Sequence, residues 1–236
     1  TVCEDVWNDK DVFKHRIYPS DPVALLVKNG AELIVNISAS PFHVGKAAFR
    51  SRMLATIAGK YRLPLVFVNQ VGGNDSLLFD GLSTAFAATG EVAARASDFV
   101  EDLVVYDLET GRGECHPAAA SEVAAVHRAL VMGTRDYVTK CGFAQAVVGL
   151  SGGIDSALTA AIAVEALGAG NVRGVFMPSR YTSRDNFEDT ARLAANLGIA
   201  LNTVPIDGIF DQFLGRLASG FDPRAPGVTE QNIQAR

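Results

Sequence analysis

Gly149-Leu150-Ser151-Gly152-Gly153-Ile154-Asp155-Ser156 is the stretch whose reading decides the fold. Residues 146–150 ahead of it read as a strand, and a helix is expected to open at Ser156 and stop at Gly168. A glycine-rich turn between a strand and a helix is where a doubly wound sheet binds its ligand. Two adjacent glycines let the backbone turn tightly and approach an anion. Successive N–H groups and the positive end of the following helix then face it. Ser151 and Ser156 add hydroxyl donors. Asp155 would repel a phosphate unless a cation lay between them, so it points to Mg²⁺ bridging to a nucleotide. The loop is neither a Walker A sequence, which needs GxxxxGK(S/T), nor a GxGxxG turn. A plain Gly-rich turn with a Ser cap is the alternative, and the full Ser-Gly-Gly-x-Asp-Ser setting speaks against it.

Downstream, strands are expected at 172–177 and 199–204, with helices opening at Asp185 and Asp207 and Gly198 stopping the first of them. One helix between each pair of strands implies right-handed crossovers and a parallel sheet. Upstream, Ser121 caps a helix that runs to about Cys141 and ends at Gly142. Residues 109–120 lack periodicity and read as a linker. Before them, Asp21-Pro22 starts a helix that Gly30 stops. Strands are expected at 32–37, 65–68 and 103–108, and 46–60 has apolar residues at helical spacing, including Ala47, Leu54, Ile57 and Ala58. Asp80-Gly81 and Thr89-Gly90 read as hairpin signals.

The net charge is −5, with Lys and Arg scattered, which excludes the basic stripe of a nucleic-acid binder. No apolar run approaches the ~20 residues of a membrane span, and no signal-peptide pattern opens the chain. Cys3, Cys115 and Cys141 are odd in number and show no CxxC spacing, which suggests a reducing cytoplasm. His15, His43, His116 and His127 form no metal-binding spacing and read as surface or turn histidines. The chain starts without Met and stops inside a predicted helix, so a piece of something longer is expected.

The loop at 149–156 resembles the signature of the ATP pyrophosphatases, which cleave ATP between the α and β phosphates to adenylate an acceptor oxygen. Extended to Leu158, it resembles the NAD synthetase branch. So does Met177-Pro178-Ser179-Arg180-Tyr181, where that family holds adenine largely by backbone groups. The segment from Thr229 to Arg236 is similar to a third family stretch, in a helix near a dimer interface, where Asn232 and Arg236 would approach deamido-NAD; a solvated helix face fits these two residues as well. At the other end, Cys3-Glu4-Asp5-Val6-Trp7, the run from Asn36 to Lys46, the run from Asn69 to Asp75, and Phe79-Asp80-Gly81 resemble the nitrilase-like glutaminase domain of the glutamine-dependent NAD synthetases.

That resemblance implies an α/β chain: the C-terminal part of a nitrilase-like sandwich over 1–110, a linker over 111–120, and over 121–236 the N-terminal part of a doubly wound, adenine nucleotide alpha hydrolase-like domain. It implies Cys3 as the nucleophile that forms a thioester from glutamine and frees ammonia, with Ser40 and Lys46 contacting glutamine. A Glu base and an oxyanion-stabilising Lys precede the cysteine in family order. It further implies that 149–156 binds ATP with Mg²⁺ at Asp155, that ammonia displaces AMP from adenylated deamido-NAD, and that the enzyme is a homo-oligomer. Two alternatives stay open: another glutamine-fed ATP pyrophosphatase with a different acceptor, and a non-catalytic nucleotide-binding module.

Overall fold

Two parallel strands and the helix between them organise the first half of the chain. The structure, a computed structural model, describes residues 1–13 and 19–217, so His15, Asn232 and Arg236 lie outside the described residues. The chain forms two compact units, Thr1–Tyr137 and Val138–Arg236.

In the first unit, β1 (Ile34–Ser38) runs parallel to β2 (Leu65–Asn69) in the register Ile34↔Leu65 to Ser38↔Asn69. Helix α1 (Pro22–Lys28) precedes β1, and its N-terminus is capped by the Asp21 carboxylate, which accepts from the Ala24 N–H. Helix α2 (Lys46–Tyr61) makes the crossover between β1 and β2. Its Met53, Leu54 and Ile57 pack against Ile34, Leu65 and Phe67, each 3% exposed or less, in the main core of this unit. The strands alternate between buried and exposed residues. On the buried face the side chains change character along each strand: Ile34 is followed by Asn36 and Ser38, and Leu65 and Phe67 by Asn69. The apolar core therefore gives way to buried polar groups at the C-terminal ends of both strands.

The short segment Leu77-Leu78-Phe79, legible in the sequence, forms a strand whose partner the sequence did not announce. β3 (Val71–Asn74) lies antiparallel to β4 (Leu77–Asp80). Gly72-Gly73 lowers the strand propensity of β3 and hides it. The turn expected at Asp80-Gly81 does not join paired strands, because β4 pairs back to β3. The signal at Thr89-Gly90 does join a pair, β5 (Thr84–Phe86) with β6 (Val92–Arg95), completing a four-stranded sheet in the order β1-β2-β5-β6. The strand expected over 103–108 shrinks to β7 (Tyr106–Asp107), paired with β8 (Arg112–Gly113). Leu103 and Val105 are apolar but 84% and 67% exposed, with no neighbouring strand among the described residues to pair with. Residues 111–120 lie inside this unit, where the His116 N–H donates to Arg95 O at 2.8 Å and the Ala119 N–H to Asp98 at 2.7 Å. Helix α3 (Glu122–Lys140) sets Ala129 and Met132 beside Phe99 in a second small core.

The second unit has the expected parallel order. β9 (Ala146–Leu150), β10 (Val172–Phe176) and β11 (Ala200–Thr203) form a sheet ordered β11-β10-β9. Helices α4 (Ile154–Leu167), α5 (Arg184–Leu197) and α6 (Asp207–Leu217) follow the three strands in turn. Ala160 and Ala163 of α4 and Ala194 of α5 are buried with Leu150, Val172 and Ile199. Such small side chains let helices approach a sheet closely. α4 opens at Ile154, two residues before the position read from the sequence, and the Ser183 hydroxyl caps α5. Among the described residues no helix is long and apolar enough to cross a membrane.

Candidate functional site

Thr1 and Val2 run beside β1, and the chain then kinks sharply at Cys3. The Thr1 nitrogen donates to Val35 O at 2.9 Å, the Ile37 N–H donates to Thr1 O at 3.2 Å, and Val2 bridges Ile37 in parallel fashion. Cys3 has φ of 47°, a left-handed conformation that a side-chain-bearing residue rarely adopts. It opens a 3-10 helix, Cys3–Asn8. Asp5 turns back to accept from the Val2 N–H at 2.8 Å, so this acid holds the kink. The Asn36 amide, fully buried, donates to Thr1 Oγ1 at 3.1 Å and to Cys3 O at 3.4 Å. Strained backbone tends to cluster at functional sites, and here several hydrogen bonds hold it.

Lys46, in the first turn of α2, reaches the same place. Its ammonium donates to Pro41 O at 3.0 Å and lies 5.3 Å from the centroid of the Trp7 ring, which stacks on Phe49 at 6.0 Å. Burial pushes the Lys46 pKa down and Arg50 adds to that, while Asp80, Cys3 and Glu4 act in the opposite sense. Ser40 is buried in the loop after β1. Its N–H donates to Asn69 Oδ1 at 2.9 Å, but its hydroxyl, with Ser38 Oγ and Asn36 Oδ1, has no hydrogen-bond partner among the described residues. Buried polar atoms are nearly always satisfied, so three such atoms on and just beyond β1 mark a place built to meet another polar group. Lys46 thus stands over the 3-10 helix that Cys3 opens, and Ser40 lies in the loop between β1 and α2.

Sequence reasoning passed over the ion pair beneath them. Arg50 and Asp80, both 2% exposed, meet in a two-pronged contact at 2.8 and 3.1 Å, and Asp80 also accepts from Asn69 Nδ2 at 3.0 Å. The available signal was an arginine on the apolar stripe of α2, in step with Met53, Leu54 and Ile57.

In the second unit the loop at 149–156 connects β9 to α4 as expected. Gly152 has φ of +81°, and a Cβ there would lie 2.9 Å from Asn186 Cα, so both conformation and space demand glycine. The hydroxyls of Ser151 and Ser156 lie 3.2 Å apart. Ser156 Oγ also donates to Gly153 O at 3.0 Å, and Ser151 Oγ accepts from the Gly153 N–H at 3.3 Å. Asp155 is exposed in the first turn of α4. A cavity of about 340 Å³ adjoins the loop, lined in part by Gly152, Gly153, Ile154 and Arg192. Because Leu150 and Phe176 are register partners on neighbouring strands, the loop and the segment from Met177 to Tyr181 leave the same edge of the sheet. In that segment the Ser179 N–H donates to Thr182 Oγ1 at 2.9 Å, and the Arg180 guanidinium grips Asp211 at 2.6 and 2.7 Å.

Among the described residues no three His, Cys, Asp or Glu side chains gather as a metal site. His116 is more than a plain turn histidine, since its Nδ1 lies 2.7 Å from Asp102, which raises its pKa.

Comparison with known proteins places each half. Residues 126–236 match the NAD synthase family, and residues 14–114 match the carbon–nitrogen hydrolase family. Over its whole length the chain is 43% identical to a glutamine-dependent NAD(+) synthetase of Synechocystis and 38% identical to one of Thermotoga maritima. It spans 43% and 46% of those proteins, a little under half. Among solved structures, the glutamine-dependent NAD+ synthetase of Acinetobacter baumannii in complex with ADP superimposes with a TM-score of 0.87. That match has 38% identity and covers 99% of this chain and 43% of the other.

Proposed function

Since the chain belongs to the glutamine-dependent NAD(+) synthetase family, we propose that it contributes to two linked reactions: release of ammonia from glutamine at Cys3, and use of that ammonia to amidate deamido-NAD at the 149–156 loop. The observation that carries this reading is the Lys46 ammonium over the ring of Trp7, which lies in the 3-10 helix that the kinked Cys3 opens.

In the first reaction Cys3 Sγ attacks the side-chain amide carbon of glutamine. The thiol proton goes to the carboxylate that the family places ahead of the cysteine. The C–N bond then breaks as the nitrogen takes a proton and leaves as ammonia. Water splits the thioester to glutamate and returns the thiol. Lys46 and Ser40 serve as substrate contacts. The burial that lowers the Lys46 pKa also makes its setting partly dry, which strengthens the pull of an ammonium there on a carboxylate.

In the second reaction Mg·ATP binds at the loop. The N–H groups around Gly152 and Gly153 and the N-terminus of α4 face its phosphates. Asp155 is a single exposed carboxylate, which fits an ion carried in largely by the phosphates and water, as Mg²⁺ usually is. The carboxylate of deamido-NAD attacks the α-phosphorus and pyrophosphate departs. Ammonia then attacks the adenylated carbonyl carbon, AMP leaves, and the amide of NAD remains. Asn232 and Arg236 are proposed contacts for deamido-NAD. A homo-oligomer and a reducing cytoplasmic setting complete the proposal; Cys3, Cys115 and Cys141 are all free thiols.

The test uses the full-length protein with deamido-NAD and Mg·ATP, supplied with glutamine or with ammonium. Cys3→Ala is expected to abolish the glutamine reaction and keep the ammonium one. Wild-type protein that forms no NAD from either nitrogen source sinks the proposal and points to another acceptor.

A further inference from the structure

Beneath the proposed glutamine site lies a chain of buried polar groups that touches neither Cys3 nor Lys46 by any hydrogen bond, yet ends on Ser40. Arg50 donates through Nη1 to Asp80 Oδ1 at 3.1 Å and through Nη2 to Asp80 Oδ2 at 2.8 Å. Asp80 Oδ1 also accepts from Asn69 Nδ2 at 3.0 Å. Asn69 Oδ1 accepts from the Ser40 N–H at 2.9 Å, and Asn69 Nδ2 lies 3.5 Å from Ser40 O. Arg50, Asp80 and Asn69 are 2%, 2% and 7% exposed. The guanidinium also lies 5.2 Å from the centroid of the Phe67 ring.

A buried ion pair is a poor way to gain stability. Removing two charges from water offsets most of their attraction, and apolar residues of similar volume often do as well or better. Its geometry does something apolar residues cannot. A carboxylate only accepts hydrogen bonds, so Asp80 compels Asn69 to turn its NH₂ towards it. The Asn69 oxygen must then face the Ser40 N–H. Charge is thus converted into a fixed orientation of one peptide group, on a residue whose hydroxyl is buried and has no hydrogen-bond partner among the described residues. The neighbouring Pro41 and Phe42 are anchored separately to β4, through the Pro41↔Phe79 bridge and Phe42 N–H donating to Leu78 O at 2.7 Å. Ser40 itself is left to Asn69. Arg50 stands one turn along α2 from Lys46, so the same ion pair ties the turn that carries Lys46 to β4.

We infer that Arg50, Asp80 and Asn69 form a positioning relay that sets Ser40 and Lys46 for the glutamine substrate, and that the ion pair is retained for this orientation and not for stability. The inference rests on the glutamine-site reading above and adds three residues that act through others.

The decisive variant in the full-length protein is the double replacement Arg50→Met with Asp80→Leu, which removes both charges and fills the space. The expected result is an unchanged thermal midpoint, unchanged NAD formation from ammonium and an unchanged rate of Cys3 alkylation by iodoacetamide. KM for glutamine should rise about tenfold, the factor that one weakened substrate hydrogen bond carries, with little change in kcat. Arg50→Lys keeps the charge but loses the two-pronged contact, and is expected to fall between wild type and the double variant. It also settles the matter if the double variant does not fold. A folded variant of either kind with wild-type KM for glutamine overturns the inference and leaves the ion pair a purely structural element. Wild type that hydrolyses glutamine without forming NAD overturns the synthetase proposal instead. The relay can then still be judged by the same KM comparison on glutamate release.

Discussion

The two candidate sites are built in opposite ways. Around Cys3 the geometry is made by side chains from distant parts of the chain: buried Asn36 on β1, Arg50 on α2, Asn69 on β2 and Asp80 on β4, with the half-buried Lys46 on α2. At the 149–156 loop it is made by backbone and by residues adjacent in sequence, most of them exposed. On the proposed reading, a site that holds a strained nucleophile against a small amide needs several fixed directions, and side chains locked by packing supply them. A site that receives phosphates needs a concave row of N–H donors, which a tight turn leading into a helix supplies without help. The two sites should therefore fail differently.

The largest contrast is in stability. Asp80→Ala leaves the Arg50 guanidinium buried and unpaired, and is expected to lower stability by about 3–5 kcal/mol. Asp211→Ala in the second unit removes a carboxylate that meets Arg180 at comparable distances, 2.6 and 2.7 Å, but both side chains are about half exposed. No resolvable shift of the unfolding midpoint is expected there, because water replaces the partner. Urea unfolding of the two variants side by side measures this. Equal shifts would erase the distinction between the sites.

Second comes the loop itself. Gly152→Ala adds one methyl group where φ is positive and Asn186 Cα stands 2.9 Å away. The loop must move, and a displacement on the order of 1 Å at a reacting group is enough for about a hundredfold loss of rate. NAD formation should fall by that factor with glutamine and with ammonium alike, while glutamate release at Cys3 persists. Loss with glutamine alone would mean that the loop serves the glutamine half.

The same contrast explains what could be read from the sequence. The loop at 149–156 was legible because its parts are contiguous and its flanking strand and helix announce themselves. The relay was not, because Arg50 and Asp80 are separated by 30 positions and Asn69 and Ser40 by 29. Nothing local marks such pairs except an arginine in line with Leu54 and Ile57. Cys3 and Lys46 were legible only through resemblance, since a cysteine beside two acids argues on its own against reactivity. The left-handed turn at Cys3 and the use of Asp5 to cap that turn are tertiary facts that no pattern of residue types carries. The misjudged strand at 103–108 has a related cause. Its residues have the right composition, but pairing needs a neighbour that composition cannot supply.

A smaller effect separates hydroxyls from backbone within the loop. Ser151→Ala removes a hydroxyl that accepts from the Gly153 N–H at 3.3 Å and lies 3.2 Å from Ser156 Oγ, but leaves φ and the turn intact. KM for ATP is expected to rise about tenfold, as for one hydrogen bond to a charged group. The unfolding midpoint should not move. A loss as large as that of Gly152→Ala would show that side chains matter here as they do around Cys3.

The smallest predicted effect concerns the first unit alone, at the pair of Asp102 and His116, a side-chain contact near the surface. The Ser97 N–H, at 2.7 Å, does most to hold the Asp102 carboxyl below its usual range, and His116 adds to it. Hydrogen bonding to Asp102 raises the His116 pKa above its ordinary 6.5. The raised His116 value means that its contribution to stability is fully present below pH about 6.5 and is lost as pH rises through the folded-state value. The depressed Asp102 value means that its contribution is present above pH about 4 and is lost as pH falls. Both therefore act together between those limits. His116→Asn should flatten the alkaline side of this window in unfolding midpoints taken across pH. The acid side should survive in part, because the Ser97 N–H remains. Asp102→Asn should flatten both sides and return the His116 ring, followed by NMR, to an ordinary titration. An unshifted His116 in the wild-type protein would remove the pair from the account of how residues 111–120 are held, leaving the backbone bonds to Arg95 and the Ala119 contact with Asp98 to do so.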